Sequence, residues 1–85
     1  MPPTDDKIRK QFGARVQQLR HALPSERPGQ PYMSQDDFAL HAGMHRTWIA
    51  AVEGGKRAPT LGNICQLAKA LGVTPSELLD GIEAD

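Results

Sequence analysis

The sequence predicts an all-α domain of five helices. Three observations carry the prediction. Apolar residues recur at three- and four-residue steps in successive segments. Capping residues and glycines mark where those segments begin and end. No strand-like alternation of useful length is present anywhere in the chain. Eighty-five residues form one small domain, residues 1–85, with a modest core. A hydrophobic content of 39% with 24% charged residues belongs to a globular fold and not to disorder.

The first helix is expected from about Asp5 to Ala22, because Ile8, Phe12, Val16, Leu19 and Leu23 fall on one stripe. Asp5 and Asp6 occupy its first turn, where carboxylates complement the helix dipole. The segment LPSERPGQPY follows. Its Pro24, Pro28, Gly29 and Pro31 cannot continue a helix, so residues 24–33 are expected as an exposed loop of about ten residues. Ser34 then reads as an N-cap, with Asp36 and Asp37 in the first turn of the second helix. This carboxylate pair also reads as a dipole complement, since no catalytic partner is placed beside it.

The second helix breaks at Gly43, and a short third helix runs from there to the double glycine Gly54-Gly55. After Thr60, the residues Leu61, Ile64, Cys65, Ala68 and Leu71 have the spacing of a buried face, and Gly72 supplies a stop. Thr74-Pro75-Ser76-Glu77 is a capping box with proline at the first helical position. It starts a last short helix that carries Leu78, Leu79 and Ile82.

Residues 34–53 make a two-helix unit whose residue types have steric reasons. Ala39 faces the crossing helix, where a larger side chain would push the pair apart. Gly43 can take a positive φ at little cost, so the chain turns sharply. Ile49 and Val52 lie on the inward side of the third helix and lock the two together. This is a helix-turn-helix, whose second helix is offered to the DNA major groove. At about 100° per residue, Thr47 points almost opposite the Ile49–Val52 direction, and Arg46, Ala50 and Ala51 share its outer face. Arg46 can donate two hydrogen bonds to a guanine edge, or else bind phosphate. Thr47 can pair with a base edge or pack on a thymine methyl, and small residues such as Ala51 let the helix sit deep. His45 at the helix start can cap it, touch DNA, or do both. Trp48 flanks the core stripe, either packed on its neighbours or resting on the DNA backbone.

Charge and composition narrow the setting. Formal net charge is zero, yet residues 1–20 hold five basic side chains against two acidic, and residues 41–60 hold three against one. The intervening and final blocks are acidic, which is compatible with one basic and one acidic face. Cys65 is the single cysteine and is expected as a small buried hydrophobe. With no internal disulfide possible, no apolar run of membrane-spanning length and no secretory segment in MPPTDDKIRK, a reduced, cytoplasmic setting is expected. His41 and His45 straddle Gly43 and have no third ligand nearby, so no metal is expected.

The stretches MSQDDFALHAGM, HRTWIAAVEGGKRAPTL and ICQLAKALGVTPSELL resemble the Xre-type, lambda-repressor-like family of helix-turn-helix DNA-binding domains. The resemblance runs from Phe12-Gly13 to Leu79. HRTWI is similar in particular to the Arg-Thr-aromatic start of recognition helices in small restriction-modification controller proteins. The proline-rich loop 24–33 departs from the pattern, being only a few residues in many members. The resemblance implies a five-helix lambda-repressor-like domain in which Gln35 grips phosphate and the GGKRAPT loop, with Lys56 and Arg57, lies along the sugar-phosphate strand. It also implies that Trp48 matches an aromatic that rests on the backbone, and that Glu53 pairs with Arg20 behind the recognition helix. Asn63, early in the fourth helix, is a further candidate phosphate donor.

The expected function is sequence-specific regulation of transcription on double-stranded DNA, by a homodimer on a palindromic operator, with no cofactor. Leu78, Leu79 and Ile82 exceed what one short helix needs and are expected at the dimer contact, although they can instead finish the monomer core. Two other readings share the scaffold. An antitoxin would carry a toxin-binding tail, and the chain ends soon after the fifth helix. A protein-interaction module would not use DNA at all. An enzyme is not expected: no nucleophile–base pairing is present, and Gly54-Gly55-Lys56 lacks the upstream glycine and hydroxyl residue of a P-loop.

Overall fold

In the computed structural model, which describes residues 3–83, α1 spans Pro3–Arg20. The sequence places it about two residues later at both ends. At the C-terminal end the amides of Ala22 and Leu23 bond the carbonyls of Leu19 and Arg20, three residues back, at 3.1 and 3.0 Å. The final turn therefore tightens and stops, because Pro24 disfavours a helical Leu23. The remaining elements are α2 (Gln35–Ala42), α3 (Arg46–Glu53), α4 (Leu61–Leu71) and α5 (Pro75–Leu78), with no strand among the described residues.

Side-chain caps set these boundaries. Ser34, Thr60 and Thr74 each accept a bond from the amide three residues on, at 3.1 Å. Asn63 and Glu77 return the bond to the Thr60 and Thr74 amides, which closes two capping boxes. Gly43 and Gly72 end α2 and α4 in the left-handed region, at φ 70° and 75°.

Helix α1 packs on α3 and α5, and α2 packs on α3 and α4. Between them lies one core of Phe12, Val16, Phe38, Ala39, Ala42, Ile49, Val52, Leu67, Ala68, Leu71 and Leu78. Each large apolar side chain there contributes about 1.5–3 kcal/mol by leaving water. Three expectations are corrected by this core. Helix α4 is centred on Ile64, Leu67 and Leu71, so Cys65 lies far round the helix and is exposed. Leu61 begins α4 beyond the last core layer and is 81% exposed. Leu78, expected at a subunit contact, is fully buried in the monomer's own core.

The crossing of α1 over α3 depends on a residue inside a helix. A Cβ on Gly13 would stand 2.3 Å from the Val52 carbonyl oxygen and 2.6 Å from that of Glu53. A mid-helix glycine costs about 1 kcal/mol relative to alanine, and here it lets α1 meet the end of α3 backbone to backbone.

Candidate nucleic-acid interface

The presentation of α3 begins at Gly43. Its amide and that of Met44 fold back onto the carbonyls at the end of α2, with Met44 N–H to Ala39 O at 2.9 Å. No atom crowds a Cβ at Gly43 closer than 3.8 Å, so the positive φ alone demands glycine. Ile49 and Val52 are buried as their spacing predicts, and they turn the opposite side of α3 outward. His45, Thr47, Trp48, Ala51 and Arg57 line one hollow on that outward side. Thr47 and His45 are exposed, Ala50 and Ala51 half-buried, and Trp48 packs partly against the core. The Trp48 indole anchors inward and leaves one side on the hollow. His45 takes the N-cap position but its ring caps nothing.

Arg46 is also exposed but is not among the residues lining this hollow, and it has a partner that the sequence did not disclose. Its Nε forms an ion pair with Asp36 Oδ1 of α2 at 2.6 Å, and both side chains are well exposed, at 61% and 69%. Asp36 therefore does more than complement the α2 dipole.

Behind α3 the arrangement is different. Arg20 donates from Nε and Nη2 to the two Glu53 carboxylate oxygens at 2.8 and 2.9 Å, and from Nη1 to the Met33 carbonyl at 2.9 Å. The two side chains are 6% and 3% exposed. Gln35 completes the cluster, with Nε2 donating to Glu53 Oε1 at 3.0 Å. Gln35, a candidate phosphate contact, engages one N–H of its side-chain amide in this cluster, which ties α1, α2 and α3 together. Arg9 adds a bond from Nε to the Gly55 carbonyl at 3.3 Å, so α1 also holds the loop after α3.

That loop starts at Gly54 and Gly55. Gly55 has φ 74°, and Lys10 of α1 packs closely against it, so both conformation and space exclude a side chain. Lys56 and Arg57 follow, both exposed, and Arg57 reaches the α3 hollow. Asn63 spends its side-chain oxygen on the Thr60 amide at 3.0 Å, leaving its NH2 group to donate elsewhere. His41 bonds the Ala70 carbonyl through Nε2 at 3.0 Å and so braces α2 on α4.

The proline-rich connection is not a loose loop. Arg27 grips Asp37 with both arms, at 2.7 and 2.9 Å. His21 stacks on Tyr32 with ring centroids 4.0 Å apart, and the Arg20 guanidinium lies 6.0 Å over the Tyr32 ring. The Arg27 hydrogen bond holds the Asp37 carboxyl below its ordinary value, and Asp37 raises Arg27 in return. Residues 24–33 thus dock on the start of α2, beside the Arg20 cluster.

Residues 11–80 match the family described as a helix-turn-helix domain. Control protein C.BamHI of Bacillus amyloliquefaciens is 41% identical over 73 residues, covering 86% of this chain and 82% of that protein. Control protein C.MunI of a Mycoplasma species is 35% identical over 81 residues, covering 95% and 97%. Among solved structures, the restriction-modification controller protein C.AhdI from Aeromonas hydrophila is similar with a TM-score of 0.68 at 37% identity, over 82% of this chain and 94% of that one.

Proposed function

The chain belongs to the helix-turn-helix family and, within it, to the restriction-modification control proteins, DNA-binding regulators of transcription, and from that premise we propose that it reads a palindromic operator as a homodimer through the outward face of α3. The observation that carries this reading is the convergence of His45, Thr47, Trp48, Ala51 and Arg57 on one hollow while a buried ion pair holds the same helix from behind. Arg46 and Thr47 read base edges, with His45 and Ala51 against the groove floor. Lys56, Arg57, Trp48 and the Asn63 amide take the sugar-phosphate strand and set the register. Gln35 is a positioning residue in this reading, acting through Glu53.

One α3 reads only a few base pairs, so two copies about 34 Å apart are needed for useful selectivity. With Leu78 in the core, the subunit contact falls to Leu79 and Ile82. Both line an apolar hollow with Ile8, Phe12, Ala58, Pro59 and Ile64, and the exposed Leu61 of α4 adds to the candidate surface. A DNA ligand supports the cytoplasmic setting expected from the sequence. No described helix is long and apolar enough to cross a membrane.

The test is a selection from random duplexes with the purified protein, followed by salt titration of the winner and of an unrelated duplex. Enrichment of a two-fold symmetric sequence bound far more tightly than the control is expected. Binding that stays weak, salt-driven and indifferent to sequence sinks the reading.

A further inference from the structure

We infer that Asp36 is a positioning residue for base readout, converting Arg46 from a general phosphate binder into a side chain that gains contacts only on the right base edge. This rests on the operator-reading function proposed above.

The geometry of the pair is the starting point. Asp36 Oδ1 lies 2.6 Å from Arg46 Nε as an ion pair, and no other described residue pairs with its Nη1 or Nη2 groups. The carboxylate therefore grips the side of the guanidinium fork and leaves its end open. A guanine edge presents O6 and N7 to two such N–H groups, so the pair orients the reader without covering it. Asp36 is on the first turn of α2 and Arg46 is the first residue of α3, which makes the tight turn at Gly43 the device that brings them together.

Charge supplies the second half of the inference. An arginine paired with a carboxylate is locally neutral and offers no net attraction to phosphate. The carboxylate itself repels the backbone of any duplex. On unrelated DNA the Asp36–Arg46 pair therefore contributes nothing, or opposes binding. On the operator the open end of Arg46 adds its base contacts. The remaining groups near Asp36 are differently engaged: Asp37 is occupied by Arg27, and Arg27 lies close enough to feel Asp36 only as a distant charge.

The experiment is a double-mutant cycle on the intact protein, using the duplex enriched by selection and an unrelated duplex of equal length. Asp36→Asn should lower the ratio of operator to unrelated affinity about two- to fivefold, the range an exposed ion pair supports. It should also steepen the salt dependence on the unrelated duplex by about one ion, as Arg46 becomes free for phosphate. In an Arg46→Ala background, Asp36→Asn should leave the ratio unchanged, because loss of a repelling charge acts on both duplexes alike. A thermal midpoint measured on each variant separates these effects from loss of helix α2. An unchanged ratio in the wild-type background overturns the inference, as does an equal fall of the ratio in the Arg46→Ala background. A wild-type protein that does not discriminate the two duplexes overturns the operator-reading function itself, and that outcome is visible before any variant is made.

Discussion

Two arginine–carboxylate pairs hold opposite sides of α3, and they differ in almost everything except chemistry. Behind the helix, Arg20 and Glu53 are 6% and 3% exposed, doubly bonded, and further tied to Met33 and Gln35. In front, Arg46 and Asp36 are 61% and 69% exposed and share a single contact at 2.6 Å. The rear pair has no water to fall back on, so either partner alone becomes an uncompensated buried charge. Exchange is open to the front pair, because water or a base edge can replace either member with little loss. One residue type thus stands in two settings, buried where it fixes the helix and exposed where the proposed function has it read DNA, and burial decides which.

The largest effect is expected where the rear pair is broken. Arg20→Met should destabilise the fold by about 3–5 kcal/mol in urea denaturation, since Glu53 stays buried with only Gln35 to serve it. A loss below about 1 kcal/mol would mean that water reaches Glu53 and that the rear pair behaves like the exposed one. Next comes Gly13→Ala. On an open helix surface this change stabilises by about 1 kcal/mol. Here the new Cβ meets the Val52 carbonyl at 2.3 Å, and the expected outcome is destabilisation by about 1–3 kcal/mol, with α3 displaced. A gain in stability would show that the α1–α3 crossing relaxes freely and that the rear of α3 is less rigid than its ion pair suggests.

What the sequence discloses about these two sides follows from how local each signal is. Gly43, the Ser34 cap and the Thr74–Glu77 box are settled within four or five residues, and their expected positions are the observed ones. The Arg20–Glu53 pair joins residues far apart in the chain, so periodicity is silent on it and only the family resemblance implies it. The spacing in helix α4 turns its expected stripe toward Cys65 and Leu61, because small and apolar residues surround the helix. Only packing against the other helices selects Leu67. Gly13 left a visible mark, a glycine in an otherwise helical pattern, but the reason for it lies in the backbone of another helix. The Asp36–Arg46 and Arg27–Asp37 pairs were hidden for a different reason. A carboxylate in the first turn of a helix already has an explanation in the dipole, so nothing prompts a search for its partner.

At the front of α3 the division between reading and positioning can be broken with two substitutions. Arg46→Ala should cost about 1–3 kcal/mol on the selected duplex and relax selectivity at the base it reads. Lys56→Ala should weaken selected and unrelated duplexes alike and flatten the salt slope by about one. Fluorescence titration of both variants at three salt concentrations separates the cases. Identical behaviour would remove the distinction between α3 and the loop that follows it.

A third pair sharpens the comparison because it is intermediate: Arg27 grips Asp37 with two bonds, as at the rear, yet Arg27 is exposed, as at the front. The Arg27 hydrogen bond holds the Asp37 carboxyl below its ordinary value of 3.8. A carboxyl lowered in the folded state adds stability that is complete above about pH 4 and disappears as pH falls through the folded value. Wild-type protein should therefore melt slightly higher than Arg27→Gln at neutral pH, and the gap should close as the solution is acidified below pH 4. Asp6 and Glu77 are also lowered, by Lys10 and by hydrogen bonds from Thr74, but both proteins share them and they cancel in the difference. Thermal midpoints across that pH range give the answer. A gap that persists in acid assigns the docking of residues 24–33 to the His21–Tyr32 stack and to packing, and a gap far larger than the surface range would mean that two-armed geometry matters more than burial.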